Sequence, residues 1–576
     1  MNSLPPEVER RRRLMTRLLP LAIIALVSFV VGAAVGAPGS PEKDLAKRFA
    51  EAWERHDFAG MYRQLNPASQ KAIDVSDFAK AYLEAEGTST LHSLDPSAPE
   101  DPRSVGGETV VAVPIEVQTV AFGPYEGELE LPVADGGVAW SPSLVFPGLR
   151  SDEHLENEIE LAPRAPILAA DGTALAEGPT EARLHPLGSA AIDITGEVGS
   201  AEEEDLPALA RHGFPPDTPV GVSGLEQAFN ARLAGRPGGS LLAVSSSGSK
   251  RVLASAKPEA GAPVKTTIDP DLQTEAVSAL AGRSGGVAVL DARNGDVRAL
   301  AGQAFSAPQP PGSTFKIITT TAALQAGEVS LDDEFEITNG VNVGGRFIEN
   351  ANGEYCGGTF RQAFAESCNA DFAPLGPAVG NDKLVETAER FGFNSPPTLY
   401  APRIVREVEP PEPSIPTEVG TELDLGVSAI GQGEVLATPL EMASVAQTVG
   451  NDGVRMPTSV VANRKLRPDA KPVRVMSKKT ADELTELMIG VVTEGTGTAG
   501  AIAEAQVAGK TGTAELGPEP GQENEEHPVQ IKDAWFSAFA PADKARLAIG
   551  VLLIDAGAAG GEVAAPIAAQ VLSAGL

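Results

Sequence analysis

The stretch Pro310-Pro-Gly-Ser-Thr-Phe-Lys-Ile-Ile-Thr319 decides the reading of this chain. Pro310, Pro311 and Gly312 interrupt any preceding structure, and a helix is predicted from Ser313 to Ala326, with Gly327 as its terminating residue. Ser313 and Lys316 then stand three apart on one helical face, where side chains can meet. A serine hydroxyl is a poor nucleophile without a base beside it. The six histidines, His56, His92, His154, His185, His212 and His527, lie outside this stretch. A Ser-His-Asp arrangement would need one of them, such as His527, to fold inward; otherwise lysine is the base. For that role Lys316 must shed its proton near neutrality, a drop of roughly 3 pKa units or about 4 kcal/mol. Burial and a second nearby cation both act in that direction.

Two further strings follow in order. Ser367-Cys-Asn369 begins about 54 residues after Ser313, and Lys510-Thr-Gly-Thr513 begins about 141 residues after Asn369. Each alone has an ordinary structural explanation: a helix cap with a solvated lysine, a turn, a strand end. Together and in this order they match a serine acyl-transfer set. Lys510 is a candidate for the second cation, on or beside a strand that follows Val507-Ala-Gly509. Gly512 is expected to let a substrate backbone approach the strand edge. Lys510 and Thr511 are expected to hold a carboxylate. The Ser313 and Thr513 N–H groups are expected to face a developing oxyanion. Ser367 would relay a proton and Asn369 orient a substrate amide, both from a helix-loop segment.

Working outward, 576 residues exceed one core and predict several domains. A formal charge of −33 without a basic stripe argues against nucleic acid as partner. Residues 1–17 carry Arg10 to Arg13 and Arg17, and an apolar run follows from Leu18 to Val35. The run is about long enough to span a bilayer, and arginines on its N-terminal side predict a cytoplasmic tail (1–17), an anchor (18–37) and an exported body. A cleaved signal peptide is the alternative, with small residues at Val35-Gly-Ala37. The only two cysteines, Cys356 and Cys368, stand twelve apart and are disulfide candidates in an exported domain. Buried free thiols are the other reading.

Residues 41–150 open with helical spacing over Asp44–Trp53 and Val75–Leu83. They turn to strand patterns at Val110–Val117, Leu129–Val133 and Val138–Trp140, an α+β unit. Residues 151–262 are rich in Gly, Pro and Ala, with short strands. Their two recognisable strings, Pro163–Gly172 and Gly221–Phe229, read as an Asp-Gly turn and a Ser-Gly helix start. From 264 onward, Asp269 caps a helix with Pro270 at its first position. A hairpin turns at Asn294-Gly295, and strands at 534–540 and 547–554 precede a closing helix from Glu562. Strands at both ends with helices between predict one antiparallel sheet flanked by helices. The acidic stretch from Glu515 to His527 reads as a solvated hairpin loop.

On the three strings, together with Gly431-Gln-Gly433 and Ala437-Thr-Pro-Leu440, the chain resembles a class B penicillin-binding protein. That resemblance implies an α+β multidomain architecture. Residues 264–576 are similar to the transpeptidase domain and 151–262 to a pedestal, or dimerisation-like, domain. Residues 41–150 resemble an NTF2-like domain. It implies a D,D-transpeptidase in which Ser313 attacks the penultimate D-Ala of a peptidoglycan stem peptide and Lys316 is the general base. Ser367, Asn369 and Lys510 complete the catalytic set, with Thr511, Gly512 and Thr513 against the substrate. β-Lactams would acylate Ser313 as substrate mimics. A membrane glycan polymerase is the implied partner; no metal or organic cofactor is implied. The pedestal string departs from the family in having Ala165 after Arg164 and Ala169-Ala170 where charged residues are common. A D,D-carboxypeptidase or β-lactamase would use the same strings, as would a non-enzymatic β-lactam or muropeptide sensor. A sensor would need an output domain that 17 residues cannot form, and intact strings argue against an inactive scaffold.

Overall fold

The computed structural model describes residues 40–397, 399–400, 411–518 and 530–576, which fall into two compact units. The first comprises described residues up to 161, with 209–215 and 237–258; the second holds the remainder. Among the described residues no helix is long and apolar enough to cross a membrane. The tail (1–17) and anchor (18–37) expected from sequence lie outside them, as do most of the acidic stretch and His527.

In the first unit, helices Pro41–Glu54 and Val75–Ser89 pack on a five-stranded antiparallel sheet. Its long strands Glu108–Thr119 and Pro124–Ala134 pair in register from Thr109↔Val133 to Gln118↔Pro124. Phe49, Trp53, Phe78 and Tyr82 meet Val111, Val113, Leu129 and Leu131 in one core. Both helices run longer than their apolar spacing predicts. Ser40 caps the first by accepting from the Lys43 N–H, and Pro41 sits in its first turn. The second continues past Leu83 because small Ala85 and polar Ser89 fill buried positions there.

The block 151–262 is divided between the two units. Glu153–Glu160, Gly238–Ser245 and Lys250–Ala256 form a three-stranded antiparallel sheet within the first unit. The pairing that divides the block joins strands more than seventy residues apart. In the second unit the two strings of this block are tied together. The side chains of Arg164 and Glu226 are wholly buried and paired, and Arg183 binds the other oxygen of Glu226 at 2.7 Å. Reading Pro163–Gly172 as a turn alone misses this. Nor does the Ser223 side chain cap its helix; its Oγ accepts from the Glu197 N–H at 3.0 Å.

The second unit is built on one antiparallel sheet. Its strands are β1 (Gly285–Asp291), β2 (Val297–Gly302), β3 (Ala508–Pro518), β4 (Gln530–Ala540) and β5 (Leu547–Leu553), in the order β2-β1-β5-β4-β3. Side chains alternate across a strand, so neighbouring residues of β4 serve different cores. Phe536 packs with Leu272, Ala276, Ile567 and Val571, from helices α1 (Pro270–Leu280) and α6 (Gly560–Gly575). Trp535 packs with Phe315, Ile317 and Ile318 around helix α2 (Lys316–Ala326). Burial on both faces explains why β1 and β5 read as continuous apolar runs. Strand β3, which carries Lys510 to Thr513, is at the sheet's edge.

Candidate active site

The helix expected from Ser313 begins differently. Gly312–Phe315 form a 3-10 turn and α2 starts at Lys316, ending as expected on Gly327 in the left-handed region (φ 74°). In a 3-10 turn residues i and i+3 eclipse, so Ser313 and Lys316 are stacked more directly than on an α-helix. Gly312 has φ +52°, and a Cβ there would lie 2.6 Å from the Thr513 carbonyl oxygen. Its N–H donates to the Gly431 carbonyl at 2.9 Å. The turn is thus clamped between β3 and Gly431.

Ser367 is the C-terminal cap of α3 (Phe360–Glu366), with φ 65°. That left-handed conformation, usual for glycine and rare for serine, swings the chain into the short helix α4 (Asn369–Phe372). Both polar groups of Ser367 thereby face the lysines. Lys316 Nζ donates at 2.8 Å to the Ser367 carbonyl and at 2.8 Å to Asn369 Oδ1, with Ser367 Oγ at 3.4 Å. Lys510 Nζ donates to Ser367 Oγ at 2.8 Å. Asn369 Nδ2 donates to the Glu349 carbonyl at 2.9 Å, fixing the amide's orientation. A disulfide joins Cys356 to Cys368, so the middle of the Ser-Cys-Asn string is held to the strand Cys356–Thr359.

Lys316 and Lys510 are wholly buried, whereas Ser313 is partly exposed. Burial, reinforced by the neighbouring Lys510 charge and opposed by Asp371, holds the Lys316 ammonium well below the usual lysine range. Burial alone pushes Lys510 down to about 7. Each ammonium also faces an aromatic ring: Lys316 Nζ lies 5.1 Å from the Phe372 ring centroid and Lys510 Nζ 5.6 Å from that of Phe364. The structure therefore brings Lys316, Ser367, Asn369 and Lys510 into one hydrogen-bonded cluster, with Ser313 on the 3-10 turn that leads into Lys316.

The β3 residues differ in part from expectation. A Cβ on Gly512 would meet the Pro311 carbonyl at 2.6 Å and Trp535 Cβ at 2.9 Å. Glycine is therefore required there for packing against the protein's own turn on the face of the sheet, while the strand's outer edge is a separate direction. Thr511 is 5% exposed and its hydroxyl is 2.6 Å from that of Thr496. Thr513 is less buried, and its Oγ1 accepts from the Gly560 N–H at 3.3 Å.

Several participants escaped the sequence reading: Thr496 holds Thr511, and Phe364 and Phe372 face the ammonium groups. Gly431, quoted there only within a family string, holds the turn. Asp371, buried on α4 with its acid raised to about 6 chiefly by burial, sets its charge against Lys316. The available signal was a carboxylate in the otherwise apolar run Ala370-Asp-Phe-Ala-Pro-Leu375.

Residues 285–573, half of the chain, match the family model for the penicillin-binding protein transpeptidase domain. The chain belongs to this family. In this penicillin-binding protein, residues 169–266 also match the penicillin-binding protein dimerisation domain. Among relatives, the peptidoglycan D,D-transpeptidase PbpA of Mycolicibacterium smegmatis is 37% identical over 298 residues. That match covers 48% of this chain and 57% of the relative, so the chain spans little more than half of it. Among solved structures, the D,D-transpeptidase domain of a peptidoglycan glycosyltransferase from Eggerthella lenta aligns with TM-score 0.57 and 29% identity. It covers 72% of this chain and 98% of that one. Penicillin-binding protein A from M. tuberculosis, as a ceftriaxone acyl-enzyme complex, aligns with TM-score 0.56 and 27% identity, over 72% and 98%.

Proposed function

We propose that this chain is a serine D,D-transpeptidase that cross-links peptidoglycan stem peptides through an acyl-enzyme on Ser313. The observation that carries the reading is the bonding of Lys316. A neutral amine has two hydrogens and one lone pair. The two 2.8 Å bonds, to the Ser367 carbonyl and Asn369 Oδ1, use the hydrogens. The lone pair remains for the hydroxyl of Ser313, eclipsed one turn earlier.

Lys316 takes the Ser313 proton as Oγ attacks the carbonyl of the penultimate D-Ala. The negative oxygen of the tetrahedral intermediate is received by the N–H groups of Ser313 and Thr513. Collapse expels the terminal D-Ala, whose amine takes a proton by way of Ser367 Oγ, which is 3.4 Å from Lys316 Nζ. Lys510, bonded to the same oxygen, keeps its hydrogen directed outward. An amine from a second stem then attacks the ester, the reverse sequence returns the proton, and the cross-link forms. β-Lactams enter as analogues of the D-Ala-D-Ala donor, as the acyl-enzyme complex of the mycobacterial relative supports.

Residues 41–150, with helices on an antiparallel sheet, are read as an NTF2-like domain and residues 151–262 as a pedestal, the latter supported by the family match over 169–266. A single-pass anchor over 18–37, an extracytoplasmic body and a membrane glycan polymerase as partner complete the reading. Fluorescent penicillin should label the protein covalently and Ser313→Ala should abolish labelling. Supplied with a D-Ala-D-Ala donor and an amine acceptor, the enzyme should give a cross-linked product. A trimmed product alone would assign it instead as a D,D-carboxypeptidase.

A further inference from the structure

A polar cavity lies in the same unit, lined by none of the residues of the catalytic cluster. Its volume is about 130 Å³, and its walls include Gly392, Leu440, Glu441, Ser444, Arg455 and Lys471. Glu441, in the first turn of helix α5 (Pro439–Gly450), is 5% exposed, and its Oε1 has no hydrogen-bond partner among the described residues. A buried carboxylate oxygen left in this state is costly. Gly392 separates it from Arg455: a Cβ at 392 would stand 2.8 Å from Glu441 Oε1 and 2.6 Å from Arg455 Nη1. The glycine thus keeps open the space into which an anion and a cation both point.

We propose that this cavity binds a small zwitterionic amino acid, glycine or alanine, with its ammonium on Glu441 and its carboxylate between Arg455 and Lys471. A simple cation would leave Arg455 unused and a simple anion would face Glu441; a zwitterion satisfies both. The volume sets the size, since an apolar cavity of about 150 Å³ accommodates benzene and alanine likewise has six heavy atoms. The acid of Glu441 is raised to about 7 by burial, with the facing Arg455 charge opposing. Among the described residues, Arg455 and Lys471 are the other charged groups lining the cavity.

The test is calorimetric titration of the full chain with glycine, L-alanine and D-alanine at pH 7, in two buffers of different ionisation enthalpy. Binding should release protons, because the ammonium favours the ionised form of Glu441, whose acid burial raises. N-acetylglycine and glycinamide, each lacking one charge, should bind at least about tenfold more weakly, as should glycine to Glu441→Gln and to Arg455→Gln. Absence of binding by all three amino acids at millimolar concentration overturns the proposal. So does equal binding of N-acetylglycine to the unaltered protein, a result that does not depend on any variant folding.

Discussion

The α-carbon of Gly431 is pressed onto the carbonyl of Gly312: a Cβ at 431 would lie 2.1 Å from that oxygen, and the Gly312 N–H returns a 2.9 Å hydrogen bond to the Gly431 carbonyl. Gly431 also has φ +72°, which alanine adopts only with strain. Gly431→Ala should therefore displace the turn that carries Ser313. Since displacements near 1 Å can cost about 100-fold in rate, the second-order rate of penicillin labelling should fall by about that factor. The thermal midpoint should drop by only a few degrees, for a loss of about 1–3 kcal/mol. An unchanged labelling rate would remove Gly431 from any positioning role.

Lys316 supplies a base only by becoming neutral. Lys316→Arg keeps the charge and much of the length but cannot deprotonate. Labelling of Ser313 should fall by about 10²–10⁴-fold, the usual worth of general-base catalysis, and raising the pH should not restore it. Recovery at alkaline pH would instead indicate that hydroxide or another group activates the serine.

The two buried lysines also make stability depend on pH. In the unfolded chain a lysine keeps its proton up to about 10.5, whereas folded Lys510 releases it near 7 and Lys316 is depressed as well. Between those limits the unfolded state binds more protons, so stability rises with pH. Urea midpoints should increase from pH 7 towards pH 10, and Lys510→Met should flatten part of that rise while stabilising the protein most at or below pH 7. A flat wild-type profile would mean that the lysines are charged in the folded state.

Much of this was legible in the sequence because the informative features are local. The order of the three strings, Gly327 as a stop, Asp269 with Pro270 as a start, and the hairpin at Asn294-Gly295 each depend on a few neighbouring residues. What escaped depends on partners distant in the chain. Gly512 reads as room for a ligand, and its packing against the Pro311 carbonyl appears only in the fold. Thr511 looks available until Thr496, fifteen residues earlier, is brought against it. The strands 153–160 and 238–245 carry no signal that they pair with each other, so the block containing them reads as one unit.

Arg164, Glu226 and Arg183 illustrate the same limit and yield a stability prediction. Arg164 Nε donates to Glu226 Oε2 at 2.7 Å, its Nη1 to Asn230 Oδ1 at 3.0 Å, and Arg183 Nε to Glu226 Oε1 at 2.7 Å. Both oxygens of Glu226 are thus committed, with essentially no exposure of the three side chains. Removing one member of such a group leaves an uncompensated buried charge, at a cost of about 3–5 kcal/mol. Glu226→Ala strands two arginines and should fall in that range by urea denaturation. Replacing all three with apolar residues of similar volume should recover most of the loss, because the desolvation of the charges disappears with them. If the single variant loses under about 1 kcal/mol, the pairing is screened by solvent and the triad is not what binds the two strings. If the triple variant is as unstable as the single one, the hydrogen bonds from Arg183 to the carbonyls of Gly178 (2.8 Å) and Ala165 (2.6 Å) carry the stability instead.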